Sequence, residues 1–86
     1  MVNEEHLFIK EELVVNRTKD LLEIKTSMNS ILKSLKIFDI LGRIIFKAEP
    51  YQKEYSLNHQ ALRSSGILIL HAELSNGKIL TKKVIK

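Results

Sequence analysis

The side chains best suited to acid-base or metal chemistry near neutral pH in this chain are three histidines, His6, His59 and His71, and they are scattered along it. An imidazole acts as a ligand or proton shuttle beside a second group at defined spacing, and none of the three lies at metal spacing with another histidine or a carboxylate. His71 falls within an apolar run and reads as an exposed or edge side chain of a strand. Asp20 and Asp39 fall in predicted turns, where side-chain to backbone hydrogen bonds account for them. The absence of cysteine removes any thiolate nucleophile, disulfide or Cys-ligated metal. Gly42, Gly66 and Gly77 stand too far apart for a phosphate-binding loop or a nucleophile elbow. The expectation is a non-enzyme with no catalytic residue, no cofactor and no metal.

What is left is charge and shape. The 86 residues carry a formal charge of +4, with Glu4, Glu5, Glu11 and Glu12 near the start and Lys78, Lys82, Lys83 and Lys86 near the end. Such polarity suits either a solvated last strand or a tail that meets an acidic partner. Nucleic-acid binding would need aromatic side chains interleaved with bases, whereas Phe38 and Phe46 have isoleucine neighbours and read as core, so no nucleic-acid partner is expected. The longest apolar run, Ile67 to Leu70, is far short of the ~20 residues that cross a bilayer as a helix. The first dozen residues also lack the basic start and apolar core of a secretory signal.

These side chains must be positioned by strands. A chain of this length forms one small domain, and 44% hydrophobic with 28% charged residues is ordinary for a globular fold. ILILHAEL, residues 67 to 74, lies between Gly66 and the Asn76-Gly77 pair, and KILTKKVI follows, which predicts a hairpin. With Gly77 left-handed in a bulged turn, Leu68 faces Val84, Ala72 faces Leu80, His71 faces Thr81 and Glu73 faces Ile79. This register separates apolar from polar faces and obliges Lys82, opposite Leu70, to snorkel. SLKIFDILGRIIFKAE, residues 34 to 49, predicts a second hairpin in which Gly42 takes the left-handed position. Ile40 and Leu41 become corner residues, Asp39 caps the turn and pairs with Arg43 in an exposed contact, Phe38 faces Ile44 and Ile37 faces Ile45.

Leu13 to Val15 and LLEIKT read as earlier strands joined by the turn NRTKD. Pro50 interrupts the ladder, KEYSL resumes it, and Leu62 anchors the connection to the Ser64-Ser65-Gly66 turn. About seven short strands at this spacing predict an all-β antiparallel sandwich. HLFIKEEL alone has helix-forming composition. Residues 1–11 are expected to be a linker or fragment boundary, or part of the first strand, and 12–86 the domain.

Taken in order, SLKIFDILGRIIFKAE, YSLNHQALRSSGILILHAEL and SNGKILTKKVIK resemble the C-terminal sorting domain of Bacteroidota type IX secretion cargo across roughly residues 12 to 86. The shared parts are Asp39, Gly42 and Arg43, the Ser-Ser-Gly turn, Asn76-Gly77, Thr81-Lys82-Lys83 and the closing apolar strand. LVVNRTKDLLEIKTS stands where the common form has a Tyr-Pro-Asn-Pro type opening, and resembles the type C variant. The resemblance implies an Ig-like sandwich of about seven strands with a carrier function. Its partners would be a covalently attached N-terminal cargo, the outer-membrane translocon and its shuttle, and a sortase-like peptidase. The cargo would pass through the periplasm to the cell surface or medium. Met1 would then be the start of a segment excised from a longer protein.

Translocon recognition is expected at the last hairpin, through Lys82, Lys83 and Lys86 as charges and Ile85 as an apolar anchor. An open strand edge also allows pairing with a second copy. Ile40 and Leu41 either plug the open end of the sandwich or offer an apolar contact to the secretion machinery. The scarcity of spare apolar surface in so small a domain favours plugging. The competing class is a β-sandwich adhesion module that meets its ligand with loops.

Overall fold

The computed structural model describes residues 10–62 and 66–85. The described chain forms seven strands, β1 (Leu13–Arg17), β2 (Leu21–Thr26), β3 (Leu32–Phe38), β4 (Ile44–Ala48), β5 (Glu54–Asn58), β6 (Ile67–Leu74) and β7 (Ile79–Ile85), with one 3-10 turn at His59–Ala61. Two antiparallel sheets result, one ordered β1-β2-β5 and the other β4-β3-β6-β7. This is the expected all-β sandwich, with the Greek-key order of Ig-like folds. The fourth strand lies beside the third, whereas in the constant-type arrangement it lies beside the fifth.

The core follows from period-two alternation. In β6, Leu68, Leu70, Ala72 and Leu74 are buried while the residues between them are half-buried. They pack with Leu35 and Ile37 of β3 against Leu22 and Ile24 of β2, Leu13 of β1 and Leu57 of β5. Leu62 is buried in the same cluster, as expected of an anchor. Burying a side chain such as Leu70 contributes about 1.5 to 3 kcal/mol.

The β6-β7 register matches expectation pair by pair: Leu68 faces Val84, Leu70 Lys82, His71 Thr81, Ala72 Leu80 and Glu73 Ile79. The β3-β4 register departs from it. Phe38 faces Ile44, but a bulge between Ile37 and Phe38 leaves Ile45 unmatched and sets Ile37 opposite Phe46. Phe46 thereby packs against the core, with its ring 6.1 Å from that of Tyr55.

His71 is on β6, an interior strand, so it is not an edge residue. It is half-buried, and its ring meets Phe38 edge-on at 6.2 Å. Glu11 is also incorporated in the fold: its side chain is buried, so the packed domain begins before residue 12. The helix-or-strand alternative for HLFIKEEL falls on residues 6 to 13, of which 6 to 9 lie outside the described residues. Ser64, Ser65 and Lys86 also lie outside them.

Candidate contact surface

Two of the sandwich's turns are built alike. In the β3-β4 turn Asp39 N–H donates to the Arg43 carbonyl at 2.9 Å, and Gly42 N–H to the Asp39 carbonyl at 2.9 Å. In the β6-β7 turn Leu74 N–H donates to the Lys78 carbonyl at 2.8 Å, and Gly77 N–H to the Leu74 carbonyl at 2.9 Å. Gly42 and Gly77 have φ of 85° and 92°, the left-handed conformation that this bulged turn demands of its fourth residue. In both, an Asp or Asn oxygen caps a free N–H: Asp39 Oδ1 accepts from Leu41 and Arg43 N–H, and Asn76 Oδ1 from Lys78 N–H.

Asp39 is buried, which corrects the expected exposed pair with Arg43. Its Oδ2 accepts from Arg43 Nε at 2.6 Å, and only the arginine side is open to solvent. The bond from Arg43 N–H, the Arg43 side chain and the Leu41 N–H together hold the Asp39 carboxyl below its ordinary range, against the opposing effect of burial. Asp20 behaves differently from expectation. Its Oδ1 accepts from the Gln60 side chain at 3.0 Å, while the β1-β2 turn is capped by Thr18 Oγ1, which accepts from Leu21 N–H at 3.0 Å.

Ile40 and Leu41 are 67% and 74% exposed, so they do not plug the sandwich. The bulged turn accounts for this: Asp39 fills the inward-facing position at the top of β3, and the two corner residues project beyond the sheet.

Strand order then brings together features far apart in sequence. Phe38 faces both Ile44 and Ile69, and Ile67 faces Ile85. The Ile40-Leu41 turn and the end of β7 therefore lie at one end of the four-stranded sheet, roughly 10 to 15 Å apart across two or three strand spacings. Ile44 and Ile85 are exposed on the outer face of that sheet.

Lys82 and Lys83 are both exposed, but alternation sends them to opposite faces. Lys83 shares the outer face with Ile85. Lys82 points along the inner side, and both lysines border a groove that Glu11, Glu12, Leu13, Leu80 and Thr81 also line. β7 is an edge strand, as recognition by strand addition would need.

Two buried polar groups were not legible as structural elements in the sequence. Glu11 approaches Lys78 Nζ at 3.8 Å, and the Ser30 hydroxyl first, then the Thr26 hydroxyl and Lys78, hold its carboxyl below the ordinary range. His59 Nε2 lies 3.0 Å from the Thr18 carbonyl, to which it donates, pinning the 3-10 turn to the β1-β2 turn. Among the described residues no group of three or more His, Asp or Glu has the grouping to hold a metal ion.

A family match extends over residues 1–86. The chain belongs to DUF8694, a domain of unknown function. No curated protein matches this DUF8694 chain in sequence. Among solved structures it is similar to CopC from Methylosinus trichosporium OB3b, with a TM-score of 0.51 and 16% identity over 88% of this chain and 90% of that one. Identity so low shows a shared β-sandwich fold and nothing about activity.

Proposed function

We propose that this domain is a non-catalytic C-terminal sorting signal that directs an attached cargo through the outer membrane by the type IX secretion system. The observation that carries the reading is the ordered resemblance of Asp39, Gly42, Arg43, Asn76, Gly77 and Thr81-Lys82-Lys83 to that family's pattern. An exposed edge strand bearing the last of these motifs supports it. A signal that must be read on unrelated cargoes needs its own core and an accessible backbone edge, and β7 offers N–H and C=O groups for strand addition. In this reading Lys83 and Ile85 contact the translocon on one face of β7, and Lys82 on the other. Lys86, the next residue in the sequence, adds a further charge, the cargo precedes the domain, and a sortase-like peptidase removes it. The destination is the cell surface or the medium, by way of the periplasm.

The test joins all 86 residues to the C-terminus of a periplasm-directed fluorescent reporter in a Bacteroidota host, with and without a working type IX system. The reporter should leave the periplasm only in the competent strain. Retention in both strains, with the domain folded, would reject the reading in favour of an adhesion module.

A further inference from the structure

We propose that the end of the sandwich carrying Ile40 and Leu41 is a docking tip for an anionic phospholipid bilayer. Ile40, Leu41, Ile44 and Ile85 are 67%, 74%, 50% and 71% exposed at this one end. The matching turn at the opposite end shows that its backbone does not require them: with the same hydrogen bonds and a left-handed glycine, it places Ser75 and Asn76 at the corners.

Charge selects the occupant. Arg17 ends β1 beside this tip and Lys19 lies in the following turn, while Arg43 and Lys83 flank the apolar residues on the four-stranded sheet; all four are exposed. The carboxylates at this end among the described residues are Asp39 and Asp20, and both are engaged locally, with Arg43 and with Gln60. The other end also exposes apolar residues, Met28, Ile31, Tyr51 and Ile79, but there Glu11, Glu12, Glu49, Glu54 and Glu73 offset Lys10, Lys25, Lys33, Lys53 and Lys78, with Lys33 paired to Glu73 and Lys78 to Glu11. The excess positive charge therefore lies at the Ile40-Leu41 end, which an anionic surface would attract more strongly than the charge-balanced other end.

The form of the tip fits lipid better than a protein pocket. Aliphatic side chains on a projecting turn, backed by cations, insert into the headgroup boundary while the charges meet lipid phosphates. Protein hot spots favour Trp, Tyr and Arg anchors in desolvated pockets, and no aromatic residue lies among these four exposed side chains.

The experiment mixes the full chain with sedimenting vesicles of phosphatidylcholine containing phosphatidylglycerol, and with vesicles of phosphatidylcholine alone. Pelleting should require the anionic lipid and weaken as salt is added. The double variant Ile40→Asp, Leu41→Asp should bind at least about tenfold more weakly, and Arg17→Glu, Lys19→Glu roughly tenfold more weakly. Both alter exposed residues, and unchanged circular dichroism shows that they fold. Because the chain has no tryptophan, Leu41→Trp gives an independent reading: its emission should shift to the blue on anionic vesicles only.

Equal pelleting on both vesicle types, or double variants that bind like the wild type, would overturn the proposal. Absence of pelleting together with an unshifted Leu41→Trp spectrum would also overturn it, and would assign the tip to a protein contact. The assay contains no secretion machinery, so its failure is distinct from a failure of export.

Discussion

The turn at Ile40-Leu41 and the turn at Ser75-Asn76 have one backbone and two chemistries. Each closes on a left-handed glycine, each has the same pair of main-chain hydrogen bonds, and each is capped by an Asp or Asn side chain. One shows water a serine and an asparagine, the other an isoleucine and a leucine. Since the hairpin geometry is satisfied either way, the apolar corners answer to something other than folding. The comparison separates what both turns need, a left-handed glycine, from what each adds, since the cap comes from the first residue, Asp39, in one and from the corner residue Asn76 in the other.

That separation can be challenged at several strengths. The largest effect belongs to β6, which pairs with β3 on one side and β7 on the other and so supports both hairpins. Leu70→Ala, at a fully buried position, should cost about 2 to 5 kcal/mol in urea unfolding and loosen both hairpins together. Loss of one hairpin alone would show that they fold as separate units.

Next come the glycines. A Cβ at Gly42 or Gly77 would meet nothing within 4 Å, so only the left-handed backbone opposes substitution. Gly42→Ala and Gly77→Ala should each cost about 1 to 2 kcal/mol, and similar amounts. Clearly unequal costs would break the equivalence of the two turns.

Acid should then distinguish them, because Asp39 titrates and Asn76 does not. The folded Asp39 carboxyl lies below its ordinary value, so its contribution is fully present above the unfolded value, ~3.9, and is lost as pH falls through the lower folded value. The Leu41 and Arg43 amide resonances should follow this titration. Asp39→Asn should flatten the acid dependence that Asp39 contributes, leaving a part from Glu11, whose carboxyl is lowered in the same sense beside the β6-β7 turn. An unchanged acid profile in Asp39→Asn would contradict the assigned hydrogen bonds.

The smallest effect is the most informative about the tip. Ile40→Ser with Leu41→Asn gives one turn the corner pair of the other, and stability should stay within about 0.5 kcal/mol. A loss well beyond that would return these residues to the core.

Much of this fold was legible in the sequence where polar and apolar residues alternate. HAEL against ILTK fixed the β6-β7 register, because a one-residue slip would have mixed the faces. KIF against RIIF has no such contrast, so the bulge that leaves Ile45 unmatched had no signal in it. The small size of the domain and the hydropathy of Ile40 and Leu41 favour their burial, whereas the turn that Gly42 closes projects its corners outward. Glu11 stands in the sequence only as one of four acids near the start, since the Thr26 and Ser30 hydroxyls that lower its carboxyl come near it only after the chain folds. The convergence of Ile85 with Ile40 and Leu41 depends on the order β4-β3-β6-β7, which no local pattern specifies.

The export reading turns on whether β7 is recognised, and it is tested most directly by a reporter fusion carrying Lys82→Glu, Lys83→Glu and Ile85→Ser. All three residues are exposed, so thermal unfolding should match the wild type and set aside misfolding. The account predicts a folded domain whose reporter stays in the periplasm of a secretion-competent strain. Export at the wild-type level would contradict it.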